Sequence, residues 1–111
     1  MMVDRKQLAI DFARSLDHPE IEKIILFGSV ARGEDTEESD IDILIFTKND
    51  SDEFKIEDDI YGKVMDIVYK HMEYISAKII PINHYEKYKD FSFYSTVNKE
   101  GIVIGWSKYN I

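Results

Sequence analysis

Two short apolar runs constrain the fold of this chain more than any other feature. The first, IEKIILF, covers residues 21–27 and leads into Gly28, and the second, IDILIFT, covers residues 41–47. Each predicts a β-strand, because a short apolar run bounded by turn residues is typical of a buried strand. The connection between them is short, and residues 29–33 predict one helical turn or the start of a short helix. We therefore expect two adjacent strands.

The rest of the chain alternates helical and strand patterns. Residues 3–16 place apolar side chains four apart, which predicts a first helix that ends before Pro19. Near the other end, one helix or two short ones are expected to end at Gly101 with a left-handed cap, and residues 102–106 predict a closing strand. This order predicts an α+β fold, or a layered α/β fold, with helices packed on a small mixed sheet.

Residues 52–75 leave two structures open. Apolar side chains recur at steps of three and four, which favours one long helix capped by one of residues 50–52. The alternative breaks the helix at Gly62 and makes residues 64–70 a strand. The helix is favoured because one internal glycine costs only about 1 kcal/mol. The third strand then falls within residues 74–83.

Composition limits the classes of protein to consider. With 111 residues, 44% of them hydrophobic, residues 1–111 are expected to form one domain around one core. The absence of cysteine excludes thiol catalysis and Cys-ligated zinc. A charged N-terminus and short apolar runs predict a cytoplasmic protein without a membrane span. The net charge of -8 makes direct nucleic-acid binding unfavourable and suits a small substrate, a divalent cation or a basic protein partner.

Asp40 and Asp42 form the first candidate site. Residues two apart in a strand point the same way, so both carboxylates are expected on one face at the start of the second strand. Carboxylates this close repel each other unless a cation lies between them, and hard oxygen ligands suit Mg²⁺ or Mn²⁺. The alternative is that both lie beyond the sheet edge in a solvated loop.

Gly28 and Ser29 form the second candidate site. A strand ends at Gly28 and a helical turn begins at Ser29, so backbone N–H groups and a hydroxyl face a place that a phosphate can approach. An ordinary turn with Ser29 as helix cap is the alternative. An anion-binding turn beside a cation-binding pair is the arrangement that nucleoside triphosphate chemistry requires, because the cation bridges phosphate oxygens.

These residues carry a resemblance to a known superfamily. Gly28-Ser29, ten intervening residues and Asp40-Ile41-Asp42 resemble the Gly-Ser-x10-Asp-x-Asp signature of the DNA polymerase beta-like nucleotidyltransferases. The whole chain resembles their small stand-alone members, the minimal nucleotidyltransferase (MNT) domains. The resemblance implies that Gly28 and Ser29 hold the β- and γ-phosphates of ATP or another nucleoside triphosphate. It also implies that Asp40 and Asp42 bind Mg²⁺ and are catalytic in transferring AMP to an acceptor while pyrophosphate leaves.

Two residue roles stay open at this point. Arg32 either reaches the triphosphate or forms a surface ion pair with Glu34 or Asp35. The superfamily normally supplies a third carboxylate, as general base, from the next strand. Asp66 is that group if its segment is a strand. If the segment is a helix, Ser76 takes the inward position of the third strand, and a serine is a poor general base at neutral pH.

The resemblance also implies a protein partner. Many MNT-type proteins are antitoxins that neutralise a HEPN-domain ribonuclease toxin, either by binding it or by transferring AMP to one of its tyrosines. An acidic chain suits a basic partner of this kind. The alternatives are a non-catalytic binding module of the same fold, a small-molecule nucleotidyltransferase acting on a compound such as an aminoglycoside, and an Asp-x-Asp glycosyltransferase. An exposed closing strand would also allow a homodimer.

Overall fold

The computed structural model describes residues 4–106 and shows a mixed α and β architecture. Its elements are α1 (Arg5–Ser15), β1 (Ile21–Phe27), α2 (Gly28–Arg32), β2 (Ile41–Thr47), α3 (Glu53–His71), β3 (Ile75–Pro81), α4 (Ile82–Tyr88), α5 (Ser92–Glu100) and β4 (Ile102–Trp106). The strands form one sheet in the order β3-β2-β1-β4. The β2/β3 pair is parallel, whereas β1 is antiparallel to both β2 and β4. The predicted fold with helices on a small mixed sheet is confirmed.

The long helix is the structure of residues 53–71, so the strand alternative for residues 64–70 is wrong. Asp52 caps α3 by accepting a hydrogen bond from the Lys55 backbone N–H at 3.3 Å. The apolar stripe of the helix then buries Ile56, Ile60 and Val64 against the sheet. Burial of this stripe outweighs the cost of Gly62, because each buried side chain contributes about 1.5–3 kcal/mol.

The alternation of side chains along β2 divides the core into two layers. Ile41, Ile43 and Ile45 point to the face covered by α1 and α3. Leu44 and Phe46 point to the opposite face, which is covered by α4 and α5. Since residues two apart share a face, Asp42 belongs to the α4/α5 side of the sheet.

Two details at the C-terminal side differ from the sequence expectation or refine it. The late helical segment forms two helices, α4 and α5. Gly101 is extended, with φ −73°, so the prediction of a left-handed cap is wrong. A Cβ there would collide with the Val97 carbonyl oxygen and lie 2.6 Å from Ile25 Cγ2, so packing space explains the glycine.

The closing strand β4 is an edge of the sheet, as predicted, and exposes Ile102, Val103 and Trp106. Within residues 4–106, no helix has the length and apolar character needed to cross a membrane.

Candidate functional site

A tight turn between β1 and α2 forms one side of the candidate site. Gly28 has φ +75°, a left-handed conformation that a residue with a Cβ adopts only at a cost. The five-residue helix α2 then closes at Gly33, which also has a left-handed φ of +73°. The Glu34 N–H donates a hydrogen bond to the Ser29 carbonyl oxygen at 2.9 Å, across the C-terminal end of the helix. Glycine conformations therefore fix both ends of the short helix.

Asp42 lies directly beside this turn. It is the register partner of Phe27 in the antiparallel β1/β2 pair, so both side chains lie on the same face of the sheet. A Cβ added to Gly28 would collide with Asp42 Oδ2, which means that the carboxylate occupies the space a side chain would need. The structure therefore brings together the Gly-Ser turn and the second aspartate, as the sequence predicts.

The surroundings of Asp42 disfavour the charged form of its carboxyl group. Partial burial raises the pKa of this carboxyl group, and the neighbouring negative charge of Asp40 raises it further. Lys78 on β3 and Arg32 on α2 act in the opposite direction but do not cancel the effect. The repulsion expected between the two aspartates is thus present, and an added cation would relieve it.

Ser76, not a carboxylate, is the neighbour of Asp42 on the next strand. The parallel pairing of β2 with β3 places Asp42 opposite Ser76 and Leu44 opposite Lys78. Ser76 thus takes the inward position expected for the helical alternative. The sequence patterns were not used to place Lys78 near Asp42. Lys78 lies two residues after Ser76, and residues two apart in a strand share a face, so this position could have been predicted.

Asp66 is not brought to the aspartate pair. It lies on α3, where its carboxylate is exposed and accepts a hydrogen bond from Lys70 at 3.0 Å. It borders a cavity next to Leu8 and Phe12 of α1, on the opposite side of the sheet from Asp42. The strand that would have carried Asp66 into the site is absent from this segment, so its predicted catalytic role loses its structural basis.

Arg32 forms the surface ion pair that the sequence left as one of two alternatives. Its guanidinium contacts Glu34 and Glu100, each at 3.2 Å. These hydrogen bonds raise the pKa of Arg32, with that from Glu34 having the larger effect. Asp35, the other predicted partner, instead binds Arg5 at 2.8 Å. Because Arg32 is solvent-exposed and acts electrostatically on Asp42, it remains a candidate phosphate ligand as well.

The donor set fits a divalent cation that arrives with a nucleotide. Across residues 4–106, no three His, Cys, Asp or Glu side chains form a group that could enclose a metal. Mg²⁺ commonly binds through one or two carboxylates and completes its shell with water and substrate phosphates. Asp40 and Asp42 supply two carboxylates, and the missing Cβ of Gly28 lets one of them approach the backbone of the turn closely.

A cavity of about 470 Å³ flanks the turn between α2 and α5, on the Asp42 side of the sheet. Phe27, Gly28 and Arg32 form one wall, and residues of α5 form the other. A second cavity of about 490 Å³ lies between α3 and β3 on the opposite side. Neither cavity was expected from sequence patterns, because each depends on how separate elements pack.

Fold and site together define a nucleotidyltransferase-type protein. Residues 8–103 match the Nucleotidyltransferase domain family, and the chain belongs to that family. It is 39% identical over 84 residues, 76% of this chain and 78% of the relative, to a Methanocaldococcus jannaschii protein named "Putative protein adenylyltransferase".

Two solved structures share the fold. A toxin-antitoxin with AMP-PNP has a TM-score of 0.56 at 17% identity, covering 96% of this chain and 76% of that chain. A mutant of the toxin-antitoxin MntA-HpeT has a TM-score of 0.57 at 16% identity, with coverage of 96% and 76%. At these identities the likeness shows the fold alone.

Replacing Gly28 with alanine is expected to destabilise the protein more than the same change at Gly33. Both residues have a positive φ, so each alanine costs about 1–2 kcal/mol of backbone strain. Only the Gly28 methyl group would also collide with Asp42, since an added Cβ at Gly33 has no neighbour within 4 Å. Urea unfolding measures both changes. Equal losses of stability for the two variants would contradict the close approach of Asp42 to the turn.

Proposed function

We propose that this protein is a Mg²⁺-dependent nucleotidyltransferase that transfers AMP from ATP to an acceptor protein. The observation that carries the proposal is the close approach of Asp42 to the Gly28 turn, because a carboxylate beside a turn of this kind suits a metal ion bound together with phosphate. Mn²⁺ is the alternative ion, and another nucleoside triphosphate is the alternative donor.

The residue roles follow from this arrangement. Gly28 and Ser29 receive the β- and γ-phosphates, and the exposed guanidinium of Arg32 adds positive charge at the same edge. Asp40 and Asp42 hold the metal ion. When bound, the ion neutralises charge on the phosphate oxygens. The oxygen of an acceptor hydroxyl then forms a bond to the α-phosphorus and releases its proton to solvent. The bond from that phosphorus to the bridging oxygen of the β-phosphate breaks, and pyrophosphate leaves.

The relatives support a protein acceptor. The 39% identical relative carries the name of a protein adenylyltransferase, and a structure of the same fold is a toxin-antitoxin with AMP-PNP. We therefore propose a HEPN-type toxin as the acceptor, recognised in part through the acidic charge of this chain. The excess of eight negative charges favours encounter with a basic partner.

A binding role without transfer is the second candidate. It is favoured by the pairing of Asp42 with Ser76, because a hydroxyl at that position cannot serve as an efficient general base. In that case the protein would bind nucleotide and metal and would neutralise its partner by complex formation alone.

Labelled ATP separates the two candidates. The protein, Mg²⁺ and a candidate HEPN-type partner are incubated with ATP labelled at the α-phosphorus and, in parallel, at the γ-phosphorus. AMP transfer predicts that the partner acquires only the α-label. Complex formation that occurs without label transfer would support the binding module, and transfer of the γ-label would indicate a kinase instead.

A further inference from the structure

We propose that the cavity between α2 and α5 binds the nucleoside of the substrate nucleotide, with Phe93 as its main contact. This inference rests on the proposed function, because it assigns the part of the nucleotide that the phosphate turn does not hold. The cavity of about 470 Å³ lies within the range of 300–1,000 Å³ that is typical of small-molecule sites.

Position is the first argument. Gly28 and Arg32 belong both to the predicted phosphate turn and to the cavity wall. Phe27, another wall residue, is the register partner of Asp42. A triphosphate at the turn therefore has this cavity immediately beside it, and the nucleoside is covalently attached to that triphosphate.

The chemistry of the lining is the second argument. The rings of Phe27 and Phe93 meet edge to face with centroids 5.8 Å apart. Phe93 is 46% exposed, so its ring offers aromatic surface on which a base can stack. Thr96 contributes a hydroxyl group and Glu100 a carboxylate, which are suitable partners for ribose hydroxyls or a base amino group. The lining therefore combines aromatic surface for the base, a few polar groups for the ribose or base, and the cationic side chain of Arg32 on the side where the phosphates would lie.

The cavity between α3 and β3 has a similar volume but a different character. It is lined by the carboxylates of Glu57 and Asp58 together with exposed aromatic rings, and its described lining contains no lysine or arginine. Negative charge of this kind disfavours a polyphosphate. It also lies on the face of the sheet opposite to Asp42, so a nucleotide cannot occupy this cavity and the turn at once.

Calorimetry with two ligands tests the assignment. ATP carries the nucleoside, whereas inorganic tripolyphosphate has only the phosphate chain, and both are titrated in the presence of Mg²⁺. We expect Phe93→Ala to weaken ATP binding about tenfold or more, since stacking of a base on an aromatic side chain contributes about 1–3 kcal/mol. Its affinity for tripolyphosphate is expected to stay within about twofold of wild type.

Two further variants serve as a control and as a second probe, in case Phe93→Ala changes binding by disturbing the fold. Phe54→Ala removes another exposed phenylalanine, on α3 beside the other cavity, and is expected to leave both affinities unchanged. Thr96→Val retains the shape of its side chain and removes the hydroxyl, so it provides a second probe of the cavity if Phe93→Ala unfolds. We expect it to reduce ATP affinity severalfold and to spare tripolyphosphate.

The outcomes distinguish the inference from the function on which it rests. If wild type binds ATP and neither variant weakens that binding, the cavity is not the nucleoside site although the proposed function stands. An equal loss of ATP and tripolyphosphate affinity in both variants would also overturn the assignment. Unchanged ATP affinity with impaired transfer would instead place the acceptor in the cavity. Failure of wild type to bind ATP would reject both proposals.

Discussion

Asp42→Asn is expected to lower AMP transfer by at least about a hundredfold while raising the thermal midpoint of the ligand-free protein. The loss of activity follows from the proposed metal site, because a neutral amide is a much poorer Mg²⁺ ligand than a carboxylate. Charge stabilisation by a metal contributes several kcal/mol to such a transfer, and about 3 kcal/mol corresponds to a factor of about a hundred.

The gain in stability follows from the raised pKa of Asp42. A carboxyl group with a higher pKa in the folded state binds its proton more tightly there than in the unfolded chain. Folding is therefore penalised once the pH rises from the ordinary value of 3.8 through the folded pKa. Asparagine carries no charge and avoids this penalty. We expect the thermal midpoint at pH 7 to rise by a few degrees, and this gain to shrink as the pH falls through the folded pKa and to be absent below the ordinary value of 3.8.

Thermal unfolding with and without Mg²⁺ tests the predicted changes in stability and metal binding, and the labelled-ATP assay tests the loss of transfer. The ion should raise the midpoint of wild type, because it relieves the repulsion from Asp40, and should have little effect on the variant. Asp58→Asn removes one exposed carboxylate on α3 and serves as the charge-matched control. A variant that is less stable than wild type at pH 7 would contradict the raised pKa of Asp42. A variant that retains transfer within about tenfold would show that Asp42 does not carry the proposed metal.

Asp66→Asn tests whether Asp66 acts as the general base in transfer. The structure places this carboxylate on the other side of the sheet, bound to Lys70. We expect transfer by this variant to equal that of wild type.

Local patterns were sufficient to predict most of the fold. The bounds of β2 and β4 follow from apolar runs between turn residues, and α3 follows from its helical stripe together with a capping aspartate. The pairing of the Gly-Ser turn with Asp42 also follows, because a short connection between two adjacent strands brings their facing ends together. These features depend on residues that are close in sequence.

Contacts between distant residues explain what the sequence patterns missed. Position 101 is a glycine because the Val97 carbonyl oxygen and Ile25 leave no space for a Cβ, and a sequence pattern identifies the glycine without this reason. The cavity beside Phe93 depends on the packing of α5 against α2. The acidic stretch at residues 34–38 has the composition of a solvated loop, but Asp35 is held by Arg5, which lies 30 residues away.

Arg5→Met is expected to lower the free energy of unfolding by about 3 kcal/mol. Arg5 is only 8% exposed, and its guanidinium donates to Glu73 at 2.9 Å and to Asp35 at 2.8 Å. It also donates to the carbonyl oxygens of Thr36 and Glu37, at 2.6 Å and 3.1 Å. Removing one partner of a buried ion pair commonly costs about 3–5 kcal/mol, because the remaining charges lose their partner. Partial exposure of Asp35 places the expected loss at the lower end.

The location of this network connects it to the candidate site. Arg5 joins α1 to Glu73, two residues after the end of α3, and to residues 35–37, which precede Asp40. Without it, the loop is expected to lose its fixed position, and metal-dependent ATP binding should weaken even in variant protein that remains folded. The salt bridge is partly buried, so high salt should not reproduce the effect in wild type.

Urea unfolding of Arg5→Met and Lys6→Met provides the comparison. Lys6 is exposed on the same helix, so its replacement removes the same charge and should change stability by no more than about 0.5 kcal/mol. Adding Glu73→Gln to Arg5→Met should recover part of the loss, because it removes one of the two carboxylates left without a partner. If Arg5→Met costs less than about 1 kcal/mol, the Arg5 network contributes little net stability, and the order of the loop before Asp40 must come from other contacts.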